Sequence, residues 1–471
     1  MTGPLAPDLC IIGAGSAGLA VAAGAAQMGA EVVLIERGLM GGDCLNFGCI
    51  PSKSLLAAAR LAHLARRSAA LGITSGGPYV EFAAAAAGVQ KVIAAIAPND
   101  SVERFEGLGV RVLRCEARFT GRRTIRASEI DIRPRRFVIA TGSRPTIPKI
   151  PGLDAVPYLT NETIFANRVR PEHLIIIGGG PIGIEMAQAH CRLGAQVTVL
   201  DIGPVLPRDD PELVASLTCQ LAGEGIVLHP GIEIAGIERD GNRIVVRLAH
   251  GEHIRGSHLL VATGRRPSIE ALDLAAAGIE AGAKGITVDA RLRTTNRRAF
   301  AIGDVAGGPQ FTHVALYHAG IVIRNALFRL PAKVDYRALP WVTYTDPELA
   351  QVGLTEAAAR AAGNDVHVLR WPFVENDRAQ TERDTSGLVK IVLGRNGRVL
   401  GASILGAGAG DLILPWALAI SQKLRIGALA NLIVPYPTRG EASKRAAGCY
   451  YTPTLFSERT RRLVRLLARF G

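Results

Sequence analysis

The chain has 471 residues, 48% of them hydrophobic, with 53 glycines and a formal charge of +13. That length supports three or four separately cored domains, and the composition fits a turn-rich α/β protein rather than a disordered chain. No recognisable nucleic-acid module accompanies the positive charge, which sets nucleic-acid binding aside.

The apolar run Leu9–Ala30 has the length of a signal peptide or membrane span. No basic residue precedes it, and spaced glycines interrupt it. A second apolar run, Ile404–Ile420, is broken by Asp411 and Pro415. A soluble, cytoplasmic protein without stable membrane insertion is expected.

Residues 11–36 read IIGAGSAGLAVAAGAAQMGAEVVLIE, and residues 176–201 read IIGGGPIGIEMAQAHCRLGAQVTVLD. The two copies align without a gap as apolar strand, G-x-G-x-x-G, alanine-rich helix, second strand and closing acid. Gly13 and Gly178 provide the tight turn. Gly15 and Gly180 let the backbone approach a pyrophosphate, and Gly18 and Gly183 allow close helix–strand packing. The free N–H groups and positive dipole end of each helix then face the phosphates. Glu36 and Asp201 suit a ribose 2′-OH and repel a 2′-phosphate. At the second site this favours NAD over NADP, and no basic residue precedes Arg208 to reverse it.

Directly after the first copy runs Gly41-Gly42-Asp43-Cys44-Leu45-Asn46-Phe47-Gly48-Cys49-Ile50-Pro51-Ser52-Lys53. A thiol pair so placed can pass two electrons between a bound cofactor and an external disulfide or soft acceptor. A structural disulfide across so short a loop adds little stability. Zinc would need two further ligands that no nearby residues supply, so no resident metal is expected. Two dinucleotide sites beside a redox pair suggest that one dinucleotide is a flavin. The remaining cysteines, Cys10, Cys115, Cys191, Cys219 and Cys449, read as reduced core thiols.

With Ala140-Thr141-Gly142-Ser143-Arg144-Pro145, Ala262-Thr263-Gly264-Arg265-Arg266-Pro267 and Ala301-Ile302-Gly303-Asp304-Val305 in order behind these motifs, the chain resembles the class I flavoprotein disulfide reductases. That family includes dihydrolipoamide dehydrogenase, glutathione reductase and mercuric reductase. The resemblance spans nearly the whole chain and implies an α/β protein with two Rossmann-like domains. These would be an FAD domain over 1–150 and an NAD domain over 151–270. A central segment over 271–338 would complete the FAD site, and an α+β dimerisation domain over 339–471 would make a homodimer.

By position, the resemblance places Glu36 on the FAD adenosine ribose and Asp304 on the ribityl chain. Ala117 and Thr312 fall at backbone contacts, and Thr141, Gly142 and Gly264 within the cofactor sites. Lys53 would lie near the flavin N5, paired with Glu185. Electrons would pass from NADH to FAD and through Cys49 to the Cys44–Cys49 disulfide, and Cys44 would attack the substrate.

One departure bears on the substrate. Where lipoamide and glutathione reductases carry His-Pro-Thr-x-x-Glu, this chain reads Tyr436-Pro437-Thr438-Arg439-Gly440-Glu441, and no histidine follows His367. A phenol is a poor base at neutral pH, though it can donate a hydrogen bond. Tyrosine resembles the mercuric reductase branch, whose acceptor is a soft metal ion. That branch's C-terminal cysteine pair is absent here, with Cys449 alone near the end. The leading expectation is a dihydrolipoamide-dehydrogenase-like enzyme whose lipoyl substrate is free or carried on an acidic protein. Tyr436 and Glu441 then stand in the catalytic positions. The alternatives are a soft-metal or other acceptor reductase, and a flavoprotein with mainly a partner-binding role.

The final basic run places Leu463, Leu466, Leu467 and Phe470 on one helical face with arginines elsewhere. It is expected to pack by that face, with a membrane-surface or anionic-partner helix as the alternative.

Overall fold

The computed structural model describes residues 4–74 and 76–470. The chain divides into two compact units, one of residues up to 202 with 231–334, the other of 203–230 with residues from 335 onward.

In chain order, the elements that build the first unit are β1 (Leu9–Ile12), α1 (Ser16–Gln27), β2 (Val32–Ile35), α2 (Cys49–Arg67), β3 (Val110–Leu113), β4 (Arg136–Ile139), β5 (His173–Ile177), α3 (Pro181–Arg192), β6 (Gln196–Asp201), β7 (His258–Val261), β8 (Ala299–Ala301) and α4 (Thr312–Ala326). Five strands form a parallel sheet in the order β8-β4-β1-β2-β3. The sequences LCII and VVLI are buried at every position. Such unbroken apolar strands are what a parallel sheet covered on both faces requires.

The second repeat builds the same unit again. β5 lies between β6 and β7, parallel to both. The two repeat helices have the same length, 12 residues each. Both βαβ readings therefore hold element by element.

The stretch 82–107 is long and apolar enough to cross a membrane by length and composition. It folds instead as three short pieces, Phe82–Ile96, a 3-10 turn at Ala97–Asp100 containing Pro98, and Val102–Gly107.

The second unit is built on an antiparallel sheet of five strands in the order Pro340–Thr343, Glu348–Gly353, Val399–Gly406, Leu388–Leu393 and His367–Pro372. Its core closes around Trp416, which is fully buried and donates from Nε1 to Ser443 Oγ at 3.1 Å. The helix Pro211–Gly223 is capped by the Asp210 carboxylate, which accepts from Glu212 N at 3.1 Å.

Lys390, with a side chain only 4% exposed, reaches Asp210 at 2.9 Å, Glu212 at 2.9 Å and Glu356 at 3.2 Å. Arg370 forks onto Glu212 from Nε and Nη2, each at 2.8 Å. A buried ammonium is tolerable only with such partners. Burial pushes the neighbouring Asp209 carboxyl up to about 6, against the hydrogen bond that its Oδ1 accepts from Trp341 Nε1.

One expectation fails here, and a second is not met within the single chain. Of the five cysteines read as core thiols Cys10 alone is buried; Cys115, Cys191 and Cys449 are half-buried, and Cys219 is exposed on the helix Pro211–Gly223. The apolar run around it has a solvent face that a count of neighbouring apolar residues misses. The C-terminal helix, α5 (Glu458–Leu467), buries none of its residues against its own chain.

Candidate active site

Each repeat makes a bare helix start. Gly13 and Gly178 hold φ of 104° and 119°, in the region L side chains rarely adopt. A Cβ on either would overlap the carbonyl oxygen of Ala140 or Ala262 on the adjacent strand end. A Cβ on Gly18 would strike the Gly13 carbonyl, and one on Gly183 the Gly178 carbonyl. Gly15 and Gly180 are the extended N-cap residues of α1 and α3, without side-chain caps, and neither first turn carries an acid. The unpaired N–H groups are thus left open to a diphosphate.

The closing acids sit at these turns. Glu36 accepts from Ala14 N and Gly38 N, both at 2.6 Å, and Asp201 accepts from Gly179 N at 2.5 Å. Thr141 Oγ1, at the end of β4, is a buried hydroxyl with no hydrogen-bond partner among the described residues. Gly142 follows it at φ 66°, and its carbonyl accepts from Ser268 N at 3.0 Å. Gly264 follows β7 at φ 124°. Ala117 is buried in the core and opens the strand Ala117–Gly121. These features fit two dinucleotides, one at each repeat.

Asp304 lies in a polar cluster whose other members are drawn from distant segments. It accepts from Ser143 Oγ at 2.6 Å, and Arg265 Nε stands 3.7 Å away. Arg265 also contacts Asp43 at 3.2 Å and donates to Ser143 Oγ at 2.7 Å. Asn161 donates to Asp43 at 3.0 Å. Burial raises the Asp304 carboxyl, while Ser143 and Arg265 favour its charged form. Arg265, Ser143, Asn161 and Asp43 had no assigned role in the sequence reading. The signals were that Ser143 and Arg265 follow the two A-T-G triplets and that Asp43 precedes Cys44 in the thiol motif.

The thiols meet at helix starts. Cys49 is the first residue of α2, and its Sγ lies 3.3 Å from the hydroxyl of Thr312, the first residue of α4. Ser16, the first residue of α1, hydrogen-bonds Cys44. Cys49 is held down to about 6, first by the hydrogen bond from Cys44, then by Thr312 and the positive charge of Lys53. Cys44 is correspondingly raised, because it keeps the shared proton and is partly buried. The hydrogen bond between the two sulfurs thus favours the negative charge on Cys49 and the proton on Cys44. Lys53, one turn along α2, pairs with the buried Glu185 at 2.8 Å.

In the second unit, the Tyr436 hydroxyl donates to Asp377 Oδ2 at 3.0 Å and the ring is 68% exposed. That hydrogen bond and the carboxylate charge raise the phenol above its ordinary value. Glu441 turns away to Arg445, at 2.9 Å. Tyr436 and Glu441 are therefore not hydrogen-bonded to one another, and the carboxylate on the phenol comes from Asp377, which sequence spacing did not reveal.

The model of the pyridine nucleotide-disulphide oxidoreductases matches residues 7–319, and that of their dimerisation domain matches residues 339–447. A mercuric reductase of Streptomyces lividans is 39% identical over 452 residues, covering 93% of this chain and 95% of that protein. A dihydrolipoyl dehydrogenase of Bacillus subtilis is 34% identical over 460 residues, covering 94% and 96%. Among solved structures, the Cu(II) complex of the HOCl-induced flavoprotein disulfide reductase RclA from Escherichia coli superposes with a TM-score of 0.85 at 28% identity, over 93% of this chain and 98% of that one. LpdA from Mycobacterium tuberculosis gives 0.87 at 27% identity, over 95% and 99%. The chain belongs to the pyridine nucleotide-disulphide oxidoreductases, the FAD- and NAD(P)-dependent flavoprotein disulfide oxidoreductases, and carries that family's dimerisation domain.

Proposed function

We propose that the protein is a cytoplasmic, homodimeric, NADH-dependent reductase of a soft external acceptor, a thiophilic metal ion first among them. The observation that carries this is the hydrogen bond from Tyr436 to Asp377. A phenol whose carboxylate partner holds it above its ordinary range is no base at neutral pH, and oxidising a dithiol substrate needs one. A thiophilic cation needs none, since it displaces the Cys44 proton by binding the sulfur. The name of the Streptomyces relative and the copper complex of the Escherichia coli structure support the same acceptor class.

When bound, FAD supplies two-electron chemistry between nicotinamide and sulfur. In sum, NADH reduces the Cys44–Cys49 disulfide to the Cys49 thiolate and the Cys44 thiol and releases NAD⁺. The pair then binds the acceptor, loses the Cys44 proton to solvent and gives up two electrons, to one Hg(II) or to two Cu(II) ions, as the S–S bond re-forms. Thr312 and Lys53 hold the Cys49 thiolate, and Ser16 positions Cys44. In the homodimer Tyr436 serves the other subunit's thiols as a hydroxyl donor. Asp201 selects NADH at the second repeat, and Arg265 with Ser143 fixes Asp304 at the first.

A second reading, oxidation of a free or carrier-bound dihydrolipoyl group, is favoured by the Bacillus relative, and the basic surface suits an acidic carrier. FAD-loaded protein separates the two. NADH-driven reduction of Hg(II) or Cu(II), lost in Cys44→Ser, with negligible oxidation of dihydrolipoamide, supports the proposal. Rapid dihydrolipoamide turnover without metal reduction overturns it.

A further inference from the structure

The C-terminal helix α5 has no place in the chemistry above and lies beyond the matched dimerisation domain, which ends at residue 447. It is well specified locally. Ser457 caps it by accepting from Thr460 N at 3.3 Å, and Thr460 Oγ1 ties it back to Thr454 O at 2.7 Å. At about 100° per residue, Leu463, Leu466, Leu467 and Phe470 fall within one arc and Arg461, Arg462, Arg465 and Arg469 within the opposite one, while Arg459, in the first turn, falls on the apolar side. Every one of the apolar side chains is at least half exposed, and Phe470 is 81% exposed. Residues 458–470 carry five arginines against a single acid, Glu458. Glu458 pairs with Arg461 at 3.0 Å, while Arg459, Arg462, Arg465 and Arg469 have no acidic partner among the described residues.

We propose that α5 is a docking helix for an anionic lipid surface. A short capped helix with a leucine–phenylalanine face and an arginine face matches the chemistry of a bilayer interface. The apolar arc enters the acyl boundary, and the guanidinium groups meet phosphate headgroups. Four arginines without acidic partners, on a chain of net charge +13, complement an anionic surface and repel a second copy of like charge. The enzyme is thereby held at the membrane surface without spanning it, where acceptors entering the cell arrive first.

The test is sedimentation of the full-length, FAD-loaded protein with vesicles of phosphatidylcholine alone and of phosphatidylcholine with phosphatidylglycerol. Binding to the anionic vesicles only, weakened roughly fivefold for each arginine removed and falling as salt rises, is the expected result. Arg462→Glu with Arg465→Glu, a surface change that leaves the fold intact, should abolish it, as should ending the chain after Phe456. NADH oxidation with a soluble acceptor should be unchanged in both variants. Three results would overturn the proposal: no binding to either vesicle, equal binding to both, or conversion of the dimer to monomer on truncation. The last would assign the apolar face to a second copy.

Discussion

The Thr312 hydroxyl lies 3.3 Å from Cys49 Sγ, so the residue that opens one helix steadies the charge on the residue that opens another. With Cys49 at about 6, the thiolate should predominate above that pH and be lost as pH falls through it. Thr312→Val removes one donor to the anion, so its titration should move upward, while Thr312→Ser should restore it. The rate of iodoacetamide alkylation of the reduced protein, followed against pH, reads this directly. An unmoved midpoint in the valine variant would show that the hydroxyl only packs there.

The two thiols should differ when removed singly. Cys44→Ser should end acceptor turnover yet leave NADH-to-dye activity, because the Cys49 side of the pair is retained. Equal loss of both activities in steady-state assays would contradict the assignment of Cys44 to the acceptor.

Tyr436→His offers a gain-of-function test. An imidazole at this position would carry an acid–base group poised near neutrality, with Asp377 within reach as its carboxylate partner. Dihydrolipoamide oxidation should rise at least about tenfold, the low side of the usual contribution of a positioned base. A rate that stays flat would show that the missing histidine is not what limits that reaction.

Asp201 accepts from Gly179 N at 2.5 Å, and on the proposed reading its negative charge disfavours a 2′-phosphate at the second repeat. Asp201→Asn should therefore narrow the preference for NADH over NADPH in kcat/KM. A ratio that does not change would place the selectivity elsewhere.

Lys390→Met should destabilise the second unit by about 3 kcal/mol, because it strands Asp210, whose side chain is fully buried, as an uncompensated charge. Urea denaturation followed by tryptophan fluorescence would report this. A wild-type midpoint would mean that Asp210 is readily protonated or rehydrated.

The βαβ units and the thiol motif were legible because their logic is local: a glycine turn, a helix and a strand lie within 26 residues. The partners of Asp304 were not, since Ser143 and Arg265 reach it from separate strands and only the folded sheet brings them together. Asp377 escaped notice for the same reason, standing 59 residues from Tyr436. The amphipathic pattern of α5 could be read from spacing, but spacing does not say what an apolar face meets. Cys219 shows the converse error, an apolar neighbourhood in sequence that turns outward in the helix.

The pair Lys53–Glu185 joins the helix that begins with Cys49 to the helix that begins after Gly180. The ion pair lies one turn beyond Cys49 on one helix and one turn beyond Gly180 on the other, so a change in either partner touches both motifs.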